Sequence, residues 1–466
     1  MLFSSIPFLY YFLPVVLIAY YVVPKPSKNM VLLLASLVFY GWGEPAYAFL
    51  MILSIGLGYV FGTLIEKFKN TPWAKVCMII SVTVSVGILG YFKYTNFFIK
   101  NFSAATGMEL PLLKVALPIG ISFYTFQLIS YIVDVYWGKV AAQKNLISLA
   151  TYITMFPQLI AGPIVRYSDV EQQLVERSIT FDKIAYGIRR FVIGLGKKVL
   201  LANVLGEFCA VFKATDEVSL VFCWSYAIAV SLQIYFDFSG YSDMAIGLGS
   251  MLGFQFAENF NYPFISRSAT EFWRRWHMTL GTWFRDYVYI PLGGSRCRLP
   301  RNLCNLFLVW MLTGFWHGAE WNFVIWGLYF GILLVLEKTV LIEWLEKYRI
   351  IGHVYIFLTV SISFVIFDAV NITDAISRIG VMFGNGDVPL MSEVTGYYLT
   401  SYLRLFLVAM IGATPIPKLF VKKITDNKKG KLVIDILEPV VMIGILAVAT
   451  AYLVDGAFNP FLYFRF

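Results

Sequence analysis

The amino-acid sequence is built from a succession of apolar runs, most of them long enough to cross a lipid bilayer. A hydrocarbon layer of about 30 Å requires about 20 apolar residues in a helix. Hydrophobic residues make up 59% of the 466 residues and charged residues only 14%, a balance foreign to soluble globular chains. We therefore predict an all-α polytopic membrane protein with about 11 transmembrane helices. The runs at 30–42, 115–135 and 303–316 fit tilted, broken or re-entrant helices.

The basic residues predict how the chain is oriented in the membrane. The formal net charge is +9, but the lysines cluster in short loops between apolar runs, near 25–28, 67–75 and 422–431. The positive-inside rule places such loops in the cytoplasm, and this distribution argues against nucleic-acid binding. The N-terminus and the C-terminal tail, 459–466, are then extracytoplasmic. The first apolar run has no basic segment or cleavage site and is expected to be a retained helix.

A single membrane domain covering 1–466 is predicted, because no soluble domain or repeat interrupts the apolar runs. Within it, the section 256–302 is amphipathic and rich in arginine and aromatic residues, which favours helices at the cytoplasmic interface. The five cysteines follow no zinc or disulfide pattern, and the sequence has neither a phosphate-binding loop nor a nucleophile-elbow serine. We expect no metal site and no bound cofactor.

His317 is the sharpest candidate for catalysis among three histidines. It lies in Gly314-Phe-Trp-His-Gly318, between two apolar runs, so its imidazole falls in a break within the membrane. Irregular backbone is tolerated at that depth where it lines a cavity, and an ionisable side chain there requires a reason. Spacing alone leaves two interpretations open, a catalytic histidine or an interfacial histidine in an aromatic belt. His353 stands at a helix start and is interpreted as structural.

His277 is the second candidate. Read as one helix, positions 273, 276, 277, 280 and 284 form an aromatic and apolar face, while Arg274, Arg275 and Arg285 project elsewhere. Two interpretations of the arginines stay open. They bind anionic lipid head groups, or they meet the phosphates of an acyl donor such as coenzyme A while His277 faces the reaction.

A polar group interrupts the apolar sequence between 218 and 256. Gln233, Asp237 and Asp243 are expected to face the interior of the helix bundle, because polar side chains are costly in contact with lipid. We predict that Asp237 is scaffold, paired with the arginines of 274–285, whereas Asp243 fits either scaffold or the lining of a tunnel.

Several motifs resemble the membrane-bound O-acyltransferase family over essentially the whole chain. The likeness is to the bacterial branch in particular, whose members acetylate alginate, cellulose or peptidoglycan outside the cell. The number and order of the motifs argue against chance. They are Pro118-Ile-Gly-Ile-Ser-Phe-Tyr-Thr-Phe-Gln127, Phe156-Pro-Gln-Leu-Ile-Ala-Gly-Pro-Ile164, Tyr235-Phe-Asp-Phe-Ser-Gly-Tyr-Ser-Asp243, Phe272-Trp-Arg-Arg-Trp-His277, Arg285-Asp-Tyr-Val-Tyr-Ile-Pro-Leu-Gly-Gly294 and Gly314-Phe-Trp-His-Gly318.

The resemblance implies helices around a central tunnel, with His317 as the catalytic histidine and His277 as its companion. The C-terminal run Phe461-Leu-Tyr-Phe-Arg-Phe466 resembles a hexapeptide of such transferases, or of a small partner subunit, whose tyrosine is proposed to carry the acyl group. That tyrosine is Tyr463 here, and an interfacial aromatic anchor is the alternative interpretation. The run Pro291-Leu-Gly-Gly-Ser-Arg296 looks like the polysaccharide-acetylating members more than the teichoic acid D-alanyl transferases.

The resulting hypothesis is a multi-pass O-acetyltransferase of a bacterial inner membrane. Cytoplasmic acetyl-CoA is the expected donor, His317 the general base, and His277 or a backbone amide the stabiliser of the oxyanion. The acceptor is Tyr463 or a sugar hydroxyl. Expected partners are an extracytoplasmic SGNH-type transferase, a polysaccharide and membrane lipid. The predicted donor-binding or tunnel residues are Arg274, Arg275, Trp276, Arg285, Trp316, Asp243 and Gln233.

Three other functions stay open on the sequence. They are D-alanyl or other acyl transfer to a teichoic acid-type polymer, transport of a lipid-linked sugar, and a non-enzymatic scaffold for a secreted acetyltransferase. A transporter predicts greater sensitivity to Asp237 or Asp243 than to His317, and a scaffold predicts that neither His317 nor His277 matters. The polymer itself is not identified by the sequence.

Overall fold

A computed structural model describes residues 1–456 and 461, and every regular element in this part of the chain is helical. The predicted all-α class is therefore confirmed. The chain divides into two compact units, unit 1 with Met1–Phe191 and Ser242–Glu258, and unit 2 with Val192–Tyr241 and Asn259–Phe466. The prediction of one membrane domain over 1–466 stays a prediction.

Unit 1 holds the first eight α-helices. They are α1 Leu13–Val22, α2 Lys28–Gly41, α3 Pro45–Lys67, α4 Pro72–Thr106, α5 Ile121–Trp137, α6 Leu146–Thr154, α7 Phe156–Leu159 and α8 Tyr167–Val175. Two further helices carry residues of both units, α9 Phe181–Gly196 and α11 Leu220–Met251.

Unit 2 holds the remaining α-helices. They are α10 Asn203–Ala214, α12 Ala269–Trp273, α13 Met278–Phe284, α14 Leu299–His317, α15 Trp321–Leu336, α16 Ile342–Lys347, α17 Arg349–Asp368, α18 Ile372–Met382, α19 Glu393–Gly412, α20 Ile416–Thr425 and α21 Lys428–Asp455. Short π-helical segments occur at Phe8–Phe12, Lys197–Ala202, Arg285–Tyr289 and Glu337–Leu341, and 3-10 turns at Lys25–Ser27, Pro263–Ile265 and Gly294–Arg296.

Local chemistry explains where many helices begin and end. Helices α3 and α4 begin at Pro45 and Pro72, where proline gives up a backbone N–H that has no partner in the first turn. Helix α6 is capped by Asn145, whose side chain accepts from the backbone N–H of Ser148 at 3.2 Å. Helix α4 ends at Gly107 with φ of 72°, a left-handed conformation that glycine adopts without strain.

Seven helices in the described part of the chain are long and apolar enough to span a membrane. They are Pro45–Lys67, Pro72–Thr106, Leu220–Met251, Trp321–Lys347, Arg349–Asp368, Glu393–Gly412 and Lys428–Asp455. The predicted multi-pass membrane architecture is thus confirmed, while the figure of about 11 spans stays a prediction because shorter apolar helices such as Phe8–Val22 are not among the seven.

The spanning helices differ in how much of their surface is buried. In α21 only 6% of the spanning window is buried, whereas in α11 the figure is 72%. Helix α11 also carries the buried polar residues Asp237, Ser239 and Asp243. Polar side chains therefore occur on the helix that the rest of the chain covers, as the cost of exposing them to hydrocarbon requires.

Helices α14 and α15 form a tight hairpin in unit 2. Their backbones meet at Gly314 and Gly327, where a Cβ on either glycine would lie 2.9 Å from the Cα of the other. A Cβ on Gly327 would also collide with the carbonyl oxygen of Trp310. Small residues permit such close approach between membrane helices, and here the contact sets the position of the end of α14.

We predict that Gly327→Ala destabilises the protein by about 1–3 kcal/mol, because overpacking displaces backbone rather than a flexible side chain. Gly87→Ala in α4 is the matched control, since a Cβ there meets nothing within 4 Å and alanine is the better helix former. Thermal unfolding of the detergent-purified protein measures both. Equal midpoints for the two variants would contradict the tight contact.

Candidate active site

His317 is the last residue of α14, where Gly318 leaves the helix with extended backbone at φ −162° and ψ 155°. Its side chain is buried, and its ring packs nearly edge-on against Trp326 at 5.1 Å and Phe367 at 5.4 Å between centroids. The neighbouring Trp316 ring lies 5.1 Å away. The imidazole therefore sits in an aromatic enclosure, and the predicted break after His317 is found in the structure.

Packing explains the glycines that flank this histidine. A side chain on Gly318 would overlap the ring of Phe323, and one on Gly314 would overlap the backbone of α15. In the motif Gly314-Phe-Trp-His-Gly318, each glycine thus permits a close contact with α15, and the buried imidazole lies between them in the sequence.

The segment around His277 is not one helix, so the predicted helical face at 273, 276, 277, 280 and 284 is wrong. Helix α12 ends at Trp273 and α13 begins at Met278, with His277 between them at φ 44° and ψ 51°. This left-handed conformation costs a non-glycine residue about 1–3 kcal/mol. Asn259 offsets that cost, because its carbonyl accepts from the backbone N–H of Met278 at 3.0 Å.

The side chain of Asn259 also contacts the imidazole of His277. Its Oδ1 lies 3.1 Å from Nδ1 of His277, and it accepts from the backbone N–H and the hydroxyl of Thr279 at 3.3 and 2.9 Å. His277 is only 2% exposed, and this burial lowers its pKa from 6.5 to about 3. The imidazole is therefore neutral at physiological pH.

Trp316 brings the two histidines into one neighbourhood of unit 2. Its ring centroid lies 5.1 Å from that of His317 and 6.3 Å from that of His277. On its other side His277 packs edge-to-face on Phe238 of α11 at 4.6 Å. Two buried imidazoles therefore flank one buried indole.

The arginines predicted to bind the donor have other surroundings. Arg275 pairs with Glu271 at 3.0 Å and Arg285 with Asp286 at 2.7 Å, while Arg274 is exposed. Arg274 and Arg285 are both exposed, whereas Arg275 is half-buried.

The pairing of Asp237 and Asp243 with the arginines of 274–285 is wrong. In unit 2 Asp237 forms a buried ion pair with Lys198 at 2.5 Å, both side chains being at most 5% exposed. In unit 1 Asp243 pairs with Arg190 at 2.7 Å, and Arg190 also contacts Glu258 at 2.5 Å. These carboxylates have scaffold partners 39 and 53 positions away, a distance at which local sequence carries no pairing signal.

The other two predicted tunnel residues lie in packed surroundings. Trp276 is buried and stacks on Phe272 at 5.5 Å, with Phe364 at 5.2 Å. Gln233 is half-buried on α11, and its amide lies over Gly206, where a Cβ would come within 2.6 Å of its nitrogen.

The sequence interpretation missed Asn259 and Lys198. Asn259 carries no signal, because its partner is 18 positions away. Lys198 does carry one, since a lysine inside an apolar run requires a buried partner. Phe461 is buried, with its ring 4.6 Å from the ammonium of Lys198 and 4.6 Å from the ring of Tyr241. Tyr463 lies outside the described residues.

Comparison with known proteins defines the class of this membrane protein. The model of the MBOAT, membrane-bound O-acyltransferase, family matches residues 139–373, which include both histidines. The chain belongs to this family and is an O-acyltransferase. The predicted family and enzyme class are confirmed.

Three relatives show which members of the family the chain is similar to. A probable alginate O-acetylase of Azotobacter vinelandii is 39% identical over 100% of both chains. A peptidoglycan O-acetyltransferase of Helicobacter pylori is 33% identical over 84% of this chain and 81% of the relative. A teichoic acid D-alanyltransferase of Bacillus subtilis is 31% identical over 50% of this chain and 61% of the relative.

We predict a specific acid sensitivity that originates at His277, which lies outside the seven spanning helices. Its pKa is about 3 in the folded chain and 6.5 ordinarily, so the unfolded chain binds the extra proton between these values. Stability contributed by neutral His277 is lost as pH falls from 6.5 toward 3, by about 2 kcal/mol at pH 5.

Unfolding midpoints of the purified protein at pH 7.5 and pH 5 measure this effect. His277→Gln should lose less stability on acidification than the wild type, whereas His353→Gln, at an exposed histidine, should lose as much. An unchanged acid sensitivity in His277→Gln would show that the loss arises elsewhere.

Proposed function

We propose that this O-acyltransferase passes an acetyl group from cytoplasmic acetyl-CoA across a bacterial inner membrane, for O-acetylation of a polysaccharide outside the cell. The names of the relatives support this proposal. The alginate relative matches over the full length of both chains, and the peptidoglycan relative over more than four-fifths of each. The D-alanyl relative matches only half of this chain, which favours acetyl over D-alanyl transfer.

The observation that carries the proposal is the buried imidazole of His317 at the end of α14. Histidine ordinarily titrates near neutral pH, which suits a general base. In the proposed reaction the acceptor hydroxyl attacks the thioester carbonyl carbon while His317 takes its proton. The C–S bond then breaks, and the departing thiolate of CoA takes the proton back from the imidazolium. The hydroxyl becomes an acetyl ester and CoA leaves as the free thiol.

Helix α14 connects an arginine-rich segment to His317. Its 19 residues separate Arg298 from His317 by about 28 Å at 1.5 Å per residue. We propose that the start of α14 lies on the cytoplasmic side and that both termini are extracytoplasmic. We also propose that the exposed Arg274 is available to the phosphates of CoA. The thioester then reaches His317 while the nucleotide stays near the inner face.

The proposed acceptor is Tyr463, from which a separate extracytoplasmic SGNH-type transferase delivers the acetyl group to the polymer. Phe461, two positions before Tyr463, supports this proposal, because it is buried against Lys198 and Tyr241. Phe461 is therefore packed within unit 2, which also contains His317.

His317→Ala should lower acetyl transfer at least 100-fold, because a general base contributes about 10²–10⁴-fold. The measurement is release of CoA thiol from acetyl-CoA by the purified full chain, together with polymer acetylation in cells. His353→Ala is the matched control and should keep wild-type activity, since His353 is exposed. Transfer that survives in correctly inserted His317→Ala would refute the assignment.

Tyr463→Phe should abolish acetylation of the polymer while leaving the amount of membrane-inserted protein unchanged, because only the phenolic oxygen is removed. The control is Tyr452→Phe, the same change at an exposed tyrosine of α21. Full activity of Tyr463→Phe would show that a sugar hydroxyl receives the acetyl group directly.

A further inference from the structure

The amide of Asn259 determines which nitrogen of His277 carries the proton. The backbone N–H of Thr279 donates to Oδ1 of Asn259 at 3.3 Å, and an N–H can only donate, so Oδ1 is correctly identified as the acceptor. Nδ1 of His277, 3.1 Å from that oxygen, must then be the protonated nitrogen.

The other nitrogen of the ring is left with a lone pair. Nε2 of His277 is buried and has no hydrogen-bond partner in the described part of the chain. Buried polar atoms in folded proteins nearly always have a partner, and an exception in an active site points to a group that arrives with the substrate. A lone pair accepts a polar hydrogen and repels an oxyanion.

The surroundings keep the ring in this state. The groups facing His277 are Asn259, Thr279 of α13, Phe238 of α11 and Trp316 of α14, and none of these four is charged. Burial alone accounts for the low pKa of the imidazole. The left-handed backbone at His277 is also held by Asn259, so one residue sets both the direction and the tautomer of the ring.

We propose that Asn259 is a positioning residue that holds His277 as its Nδ1–H tautomer, so that Nε2 accepts a hydrogen bond from an O–H or N–H of a bound substrate. This inference rests on the proposed function, and it replaces oxyanion stabilisation as the role of His277. The polar hydrogen belongs either to a polar group of the acceptor other than the reacting hydroxyl, whose proton goes to His317, or to an amide of the arm that carries the donor thioester.

A double-mutant cycle tests whether Asn259 acts through His277. CoA release from acetyl-CoA is measured for Asn259→Ala, His277→Ala and the double variant, each normalised to folded protein. Each single variant should lower kcat/KM for acetyl-CoA about tenfold or more, and the double variant should equal His277→Ala within about twofold, because a positioning residue has nothing left to position. Losses that multiply would overturn the proposal.

The pH profile gives a readout that a purely structural residue would not move. In Asn259→Asp a carboxylate faces Nδ1–H, and an opposite charge raises the pKa of histidine by about one to three units. The titration profile of the His277 imidazole, followed by NMR, should therefore move upward by about one pH unit or more. The acid limb of kcat is not the readout, because protonation of the general base His317 near the ordinary histidine pKa sets it. Asn371→Asp is the control, because Asn371 caps α18 through Oδ1 and aspartate caps equally well. A wild-type profile for Asn259→Asp would overturn the proposal, and the cycle still decides if this variant does not fold.

Kinetics of His277→Ala identify the source of the polar hydrogen. A raised KM for acetyl-CoA assigns it to the donor, and a lower kcat at saturating acetyl-CoA assigns it to the acceptor. The proposal would be overturned if His277→Ala changed neither KM nor kcat. The proposed function has its own test, because transfer that survives in His317→Ala would refute it. If His317→Ala is inactive but the losses of Asn259→Ala and His277→Ala multiply, only the role of Asn259 is refuted.

Discussion

Hydrocarbon offers no hydrogen-bond partners, so each polar group placed within it must be satisfied by the chain itself. Helix α11 meets this constraint with two carboxylates, Asp237 paired with Lys198 inside unit 2 and Asp243 paired with Arg190 inside unit 1. Removing one partner of a buried ion pair leaves an uncompensated charge and typically costs about 3–5 kcal/mol. The most buried spanning helix is thus also the one whose position is most strongly specified.

The sequence predicts the membrane class well, because the length of an apolar run is a local property that can be compared directly with the thickness of the bilayer. It also locates His317, since the glycines on either side mark both the helix end and the close packing of α14 and α15. It fails for the partners of Asp237 and Asp243, because those lie tens of residues away. A charged residue inside an apolar run predicts that an ion-pair partner exists, but it does not predict which residue the partner is.

The error at His277 has a different origin. The apolar spacing from Trp273 to Phe284 does favour a helix, and tertiary structure overrides it. Asn259 supplies a backbone carbonyl and a side-chain oxygen to the turn, and these bonds stabilise a left-handed residue that propensity disfavours. Local preference and global structure disagree at a residue of the candidate site, which is where such conflicts are expected.

Because α14 ends at His317, the number of residues in the helix determines where the imidazole lies. Each residue of an α-helix adds 1.5 Å and about 100° of rotation. One residue inserted between Gly314 and His317 would turn the imidazole away from Trp326 and Phe367 if Gly314 stayed against Gly327. The interval from Gly314 to His317 therefore has a fixed number of residues, and an insertion there would change the geometry of the candidate site.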